Sequence, residues 1–569
     1  MIPRPSSSRP APDALRTHLA WVAAVALLAG SVYVTALGNG FARDDHTILE
    51  QRELVRRGAV TEALSAPWWA ESSDGQGTLY RPVALAFLAA QWSAFDGDPA
   101  GFHAVSVLLH VVASVCVLLL LASVIPLTGA AAGAAVFAVH PVHVEAVANV
   151  VGQAELLAAV LATLAALLYL RSARQEPGAV RALLWVGVAG LYLLALSSKE
   201  IAVSLPALLV LLAVTAGGEA DGTPRRRAVV GRLLDETPLL LLLLGVLVAY
   251  LGVRAEVLGS VMGEVPAPEL IGLGGLERVQ TALSVWPEYV RLLLIPLDLE
   301  ADYGPAVLFP ARALDPGVIL GAIVAAALVV GAVASSFRHP VVALGTGWLI
   351  VSLLPVSNLF FATGILLAER TLYLPSIGVA VVAGYAFGEL LERMGPRRAW
   401  AALAAIVVAL GARTAVRNPV WASTEAVVAS IEADHPRSNV VLQARAVEAF
   451  NAGRTAEAER LFAESLALLP FHYGHVVEVA QVKAVLGKWA EAEELFVRAI
   501  GLRPAAAPAY ELWAARLLAA GRPEAGRRVA AVGLARVEAP RRLWTLIAES
   551  WTAEGRAAEA SRAREAAGG

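Results

Sequence analysis

The chain has 569 residues, 57% of them hydrophobic and only 16% charged, where soluble domains carry roughly 25% charged residues, and its mean hydropathy is +0.64. These figures exclude an ordinary soluble globular protein and place most of the chain in lipid. A formal net charge of −3, with no basic run beyond Arg225–Arg227, gives no argument for a nucleic-acid or polyanion binder, and the single cysteine, Cys116, excludes an intrachain disulfide.

In chain order, residues 1–18 form a Pro/Ser-rich tail with Arg4, Arg9 and Arg16, read as cytoplasmic. An apolar run at 19–37 follows, long enough to span and longer than a secretory signal, and is expected to be an uncleaved anchor. The first outer loop, 39–100, opens with Asp44, Asp45 and His46, passes Trp68 and Trp69, read as interfacial anchors, and contains "LYRPVALAFL" with Arg81. Further apolar stretches lie near 102–123, 128–140, 150–170, 181–197, 201–215, 238–253, 316–335, 341–357, 371–390 and 398–412, which predicts eleven spans.

The stretch 279–297 is apolar but carries Pro287, Glu288 and Arg291 at its middle, where charge costs a few kcal/mol per residue. With eleven spans the basic segments at 171–174, 225–227, 336–339 and 392–398 all fall on the inner side, and a twelfth would expel the last two. Residues 279–297 are therefore expected to form an interfacial or re-entrant helix.

Beyond about residue 417 the apolar density drops and a repeat appears. Gly453, Gly487, Gly521 and Gly555 follow one another at 34 residues, "AGRTAEAERLF" matches "LGKWAEAEELF", and Pro504 follows Pro470 at the same interval. The period and its small–aromatic–proline marks resemble the tetratricopeptide repeat, stacked pairs of antiparallel helices. Ala458 and Ala492 take the close-packing position and Phe462 and Phe496 the aromatic one, with Gly526 and Ala530 in the degenerate copy. The predicted organisation is a tail (1–18), a membrane bundle (19–416) and a repeat domain (417–569) with repeats at 439–472, 473–506 and 507–540 and a truncated one at 541–569.

This layout gathers polar residues on the outer side. Besides the first loop they are "VHPVHVEAVANVVGQAELL" (139–157), "SSKE" (197–200) and "NLFFATGILLAERTLYLPSIG" (358–378). Charges at the edges of spans are costly and usually functional. His140, His143 and Glu145 could suggest a metal site, but Pro141 interrupts the helix and no third histidine follows at ligand spacing, so no divalent metal is expected. Lys199–Glu200 and Glu369–Arg370 could equally be mutual ion pairs.

Taken together, in order and over nearly the whole chain, the Asp-Asp pair, "YRP", "HPVHxEAV", "SKE", "ERxLYLPS" and the repeats resemble the transmembrane and tetratricopeptide-repeat-containing O-mannosyltransferases and their bacterial relatives. The resemblance implies an all-α protein: a polytopic bundle of the GT-C glycosyltransferase fold followed by a repeat solenoid. It implies a polyprenyl-phosphate sugar, mannose, as donor and substrate, with no cofactor besides. The acceptor is left open between a protein Ser/Thr hydroxyl, a glycan and another lipid, and an acceptor protein or glycan is expected to be held by the repeats. It also places the essential acid in the first outer loop, at Asp44 or Asp45, and substrate contacts at Arg81, His140, His143, Glu145, Lys199, Glu200, Glu369, Arg370 and Tyr373. One departure stands out: Gln153 of "GQAE" occupies the place of an expected arginine.

The residues suit that chemistry. A carboxylate with a raised pKa can take the acceptor proton, and Lys199 and Arg370 can hold the leaving phosphate. Two other classes compete. A catalytically inactive scaffold would use only the repeats, and a transporter would show inverted repeats and mid-span charges, which this sequence lacks. The composition and the lack of a retention signal fit a bacterial plasma membrane with the repeats outside.

Overall fold

A computed structural model describes residues 12–69, 79–215, 225–261, 266–305, 307–311, 315–537 and 540–568. All regular structure among them is helical. They divide into two compact units, one drawn from residues up to Ala433 and one consisting chiefly of Asp434–Gly569.

In the first unit, six helices are long and apolar enough to cross a membrane: Pro99–Ala122, Val150–Ser172, Ala179–Leu196, Thr237–Leu258, Pro316–Arg338 and Pro396–Trp421. Leu127–Ala138 and Pro141–Ala148, bent by 51° between them, make a seventh if taken as one broken span. Shorter apolar helices cover Leu15–Ser31, Pro82–Phe95, Glu200–Thr215 and Pro340–Val356, and Ser376–Met394 is helical but ends in Glu389, Glu392 and Arg393. The segment 279–297 is two short helices, Gly275–Ser284 and Trp286–Leu294, because Pro287 can sit in a first turn but not inside a helix.

Local chemistry sets the helix starts. Proline occupies the first turn of Pro99–Ala122 and Pro316–Arg338, and the side chains of Asp98 and Asp315 accept from Ala100 N (3.1 Å) and Val318 N (2.9 Å). Where lipid removes the hydrophobic drive, small residues let backbones meet. A Cβ on Gly133 would lie 2.3 Å from the Ala380 carbonyl oxygen and one on Gly378 2.3 Å from that of Gly345, so Ser376–Met394 is wedged between two neighbours by glycine contacts.

The second unit is a run of helix pairs: Asn439–Asn451 with Thr455–Leu468, Tyr473–Val485 with Trp489–Leu502, Ala507–Ala519 with Pro523–Leu534, and Arg541–Ala553 with Ala557–Gly568. The 34-residue glycine period has a conformational cause. Gly453, Gly487, Gly521 and Gly555 each end the first helix of a pair at φ of +72 to +75°, which glycine adopts without penalty. Ala458, Ala492, Phe462 and Phe496 are buried in the pair cores as their spacing implies. The last repeat, expected to be truncated, is a full pair.

Candidate active site

After the first helix the chain passes through the turn Val34–Gly38 to Arg43, held at φ +54° with its N–H donating to Thr424 Oγ1 at 2.8 Å. The strained residue precedes the Asp-Asp pair and turns the two carboxylates to different surroundings. Asp45 is fully buried, and its carboxylate accepts from the N–H groups of Val151 (2.8 Å), Ala42 (3.2 Å) and Val150 (3.3 Å). Burial pushes its carboxyl up to about 7 against the pull of those three donors. Asp44 is only partly buried and acts electrostatically on Arg370.

Three loops far apart in sequence supply an ionic cluster beside this pair. The Arg370 guanidinium donates to Glu145 Oε1, and the Arg370 N–H donates to Glu145 Oε2 at 2.9 Å. Burial opposes the arginine's charge, but Glu145, Asp44 and Glu155 outweigh it and raise its pKa. Lys199 Nζ lies 2.7 Å from Glu155 Oε1. Burial, together with Arg81 and Arg370, lowers the pKa of Lys199, against the opposite pull of Glu155 and Glu200. Glu200 faces Arg81, whose Nη2 is 2.9 Å from Glu200 Oε2, and Arg254, whose Nη1 is 3.5 Å from Glu200 Oε1.

The sequence-adjacent ion pairs considered above are therefore not the ones formed. Lys199 pairs with Glu155 rather than Glu200, and Arg370 with Glu145 rather than Glu369. Glu369 is fully buried and accepts from the Tyr303 hydroxyl at 3.0 Å. Burial, reinforced by Glu145, raises it to about 8, against the pull of Arg417. Trp68, expected at the membrane interface, is buried under the Arg81 guanidinium, 5.3 Å from its ring centroid.

His140, His143 and Tyr373 lie inside the protein rather than on the open cluster. His140 Nδ1 accepts from Val142 N at 3.3 Å, which leaves Nε2–H to donate to the Leu293 carbonyl at 3.0 Å. His143 Nε2 is 2.8 Å from Ser376 Oγ, and the Tyr373 hydroxyl is 2.8 Å from His110 Nδ1. Phe137 packs against this group, with ring centroids 4.5 Å from His143 and 5.3 Å from Tyr373.

Gln153, in place of the expected arginine, is buried in a neutral network. Its amide donates to Gln91 Oε1 (3.1 Å), the Phe102 carbonyl (3.0 Å) and Ser106 Oγ (3.1 Å), and its carbonyl accepts from Gln91 Nε2 (2.7 Å). The sequence reading also passed over Glu155, Arg254 and Tyr303. Arg254 carried a usable signal, a cation near the C-terminal end of an apolar helix.

No protein-family model matches the chain. It is similar to protein O-mannosyl-transferase TMTC4 of Mus musculus, 26% identical over 430 residues covering 67% of this chain and 57% of the relative. Similarity extends to protein O-mannosyl-transferase Tmtc3 of Drosophila melanogaster, 28% identical over 502 residues covering 75% of this chain and 52% of the relative. The chain thus spans between half and two thirds of these relatives' length. Among solved structures, ArnT from Cupriavidus metallidurans bound to undecaprenyl phosphate aligns at 14% identity over 92% of this chain and 80% of that one, with a TM-score of 0.38, too loose a superposition to carry argument.

Proposed function

We propose that the chain is a membrane glycosyltransferase that moves a sugar, mannose, from a polyprenyl-phosphate donor to an acceptor hydroxyl, that of a protein serine or threonine, on the extracytoplasmic side. The observation that supports this most is the convergence of Asp44 with Arg370, Glu145, Lys199, Glu155, Glu200 and Arg81 from four separate loops. The names of the relatives give the chemistry a direction.

In the reaction the acceptor oxygen attacks the sugar's anomeric carbon and the bond from that carbon to the phosphate oxygen breaks. The electron pair leaves on the lipid phosphate. Asp44, the accessible member of the acid pair, takes the acceptor proton. Asp45 orients it by fixing the loop to the backbone of Val150 and Val151. The departing phosphate gains negative charge, and cations of the cluster, Lys199 and Arg81 among them, stand ready to hold it without reorganising. The repeat unit offers a surface for an acceptor protein or glycan.

The test is direct: membranes containing the chain transfer labelled mannose from polyprenyl-phosphate mannose to a Ser/Thr-containing acceptor, and membranes containing the Asp44→Asn variant do not. Wild-type membranes that transfer no label, with donor and acceptor peptides both supplied, overturn the reading and leave a membrane-anchored scaffold.

A further inference from the structure

The ionic cluster is not evenly charged. At one end Arg370 is the single cation, its guanidinium and backbone N–H both on Glu145, with Asp44 adding a second carboxylate. At the other end three cations, Arg81, Lys199 and Arg254, share two carboxylates, Glu200 and Glu155. The first end carries a negative excess and the second a positive one. Within the second end the Glu200 side chain is 32% exposed and that of Glu155 3%, so an anion entering there meets Glu200 and its two arginines before the Lys199–Glu155 pair.

That end is also firmly built. Tyr250, one turn before Arg254, donates to the Tyr80 carbonyl at 2.8 Å and ties the helix end to the residue preceding Arg81. Arg254 Nε donates to the Val261 carbonyl at 2.9 Å, and Trp68 backs the Arg81 guanidinium. The side chains of Arg81, Lys199 and Arg254 are 11%, 10% and 6% exposed, so desolvation strengthens their field. The carboxylate of Glu200, held between two arginines, occupies the position an oxyanion would take.

The geometry points to a phosphate subsite made by Arg81, Lys199 and Arg254, with Arg254 a binding residue for the donor's phosphate and Arg370 engaged with Glu145 through Nη1 and its backbone N–H. This rests on the glycosyltransferase reading and extends it. A sugar-linked lipid phosphodiester carries one negative charge, and the lipid phosphate released from it carries close to two at neutral pH, so a corner with excess positive charge binds the leaving group more strongly than the substrate. Arg370 then acts by positioning Glu145 next to Asp44.

Binding of a short-chain polyprenyl phosphate and of inorganic phosphate to the detergent-solubilised full chain tests this, with the melting temperature of the ligand-free protein as the fold control. Arg254→Gln is expected to weaken polyprenyl-phosphate binding at least tenfold, Arg254→Lys to restore part of it, and Arg370→Gln to change it less than threefold. Glu200→Gln, which removes the competing carboxylate, leaves binding equal or tighter. Unchanged binding in Arg254→Gln, or a larger loss in Arg370→Gln, overturns the subsite. If the wild-type chain ignores the polyprenyl phosphate, the glycosyltransferase reading fails by itself. Inorganic phosphate then decides the subsite: stabilisation that needs Arg254 upholds it, and none overturns it.

Discussion

Asp45 Oδ1 accepts a hydrogen bond from the Val151 N–H at 2.8 Å, which fastens the first outer loop to the start of the helix that carries Glu155. Its neighbour Asp44 is left partly open beside the ionic cluster. Two adjacent aspartates thus divide into a buried acceptor of backbone hydrogen bonds and a partly open carboxylate, the proposed base.

The division predicts different failures. Asp44→Asn is expected to lower transfer by about 10²- to 10⁴-fold, the usual contribution of a general base, with the melting temperature nearly unchanged. Asp45→Asn sets an amide N–H against backbone donors and is expected to cost about 1–3 kcal/mol of stability, with activity following the amount of folded protein. Specific activity per folded molecule separates the two, and a near-wild-type value for Asp44→Asn removes it as the base.

The helical architecture, the repeats and several residues of the candidate cluster were legible in the sequence, and the pairing within the cluster was not. Spans announced themselves by apolar runs, and the repeats by glycines that a left-handed helix end requires every 34 residues. Asp44, Arg81, Glu145, Lys199 and Arg370 stood out because ionisable groups at span ends are expensive. Which carboxylate meets which cation depends on how helices pack. Lys199 sits next to Glu200 in the chain, yet its backbone is extended there and the two side chains diverge, one to Glu155 and one to Arg81. His140 and His143 were expected to contact substrate because a single sequence cannot tell an open imidazole from a buried one bonded, as these are, to Leu293 or Ser376.

Glu369 gives a pH signature. A carboxyl whose folded pKa stands above its unfolded value keeps a proton that the unfolded chain has released. Stability therefore falls as pH rises from about 4.5 to about 8 and levels off beyond. Asp45 acts in the same direction up to about pH 7. The melting temperature in detergent should accordingly drop between pH 5 and pH 8, and Glu369→Gln should make that drop smaller while raising the value at pH 8. An identical pH slope in the variant would mean that Glu369 is ionised in the fold.

Topology can be checked independently of chemistry. The positive-inside rule, applied to the basic segments, predicts an inner N-terminus, and the eleven crossings read from the sequence would then place residue 569 outside. Six or seven of these crossings correspond to long apolar helices, and the rest need the shorter ones such as Glu200–Thr215 and Pro340–Val356 to cross as well. A reporter fused after Gly569 is expected to be active only on the outer side. Inner activity would change the parity of the count and move the repeats away from the proposed acceptor side.

The neutral network at Gln153 yields the last prediction. Gln153 and Gln91 exchange two hydrogen bonds, and Gln153 adds one each to the Phe102 carbonyl and Ser106 Oγ. An arginine at 153 would bring a buried cation to these neutral partners, and an uncompensated buried charge costs several kcal/mol. Gln153→Arg alone is therefore expected to fold poorly. Gln91 stands in reach to become the counter-ion, since its side-chain oxygen already lies 3.1 Å from Gln153 Nε2. The pair Gln91→Glu with Gln153→Arg should recover at least about 2 kcal/mol of the sum of the two single losses, as coupled neighbours do. Chemical denaturation of the four proteins in one detergent measures the cycle. Simple additivity would show that position 91 cannot compensate, and that the glutamine at 153 is held in place by the whole polar pocket rather than by its partner.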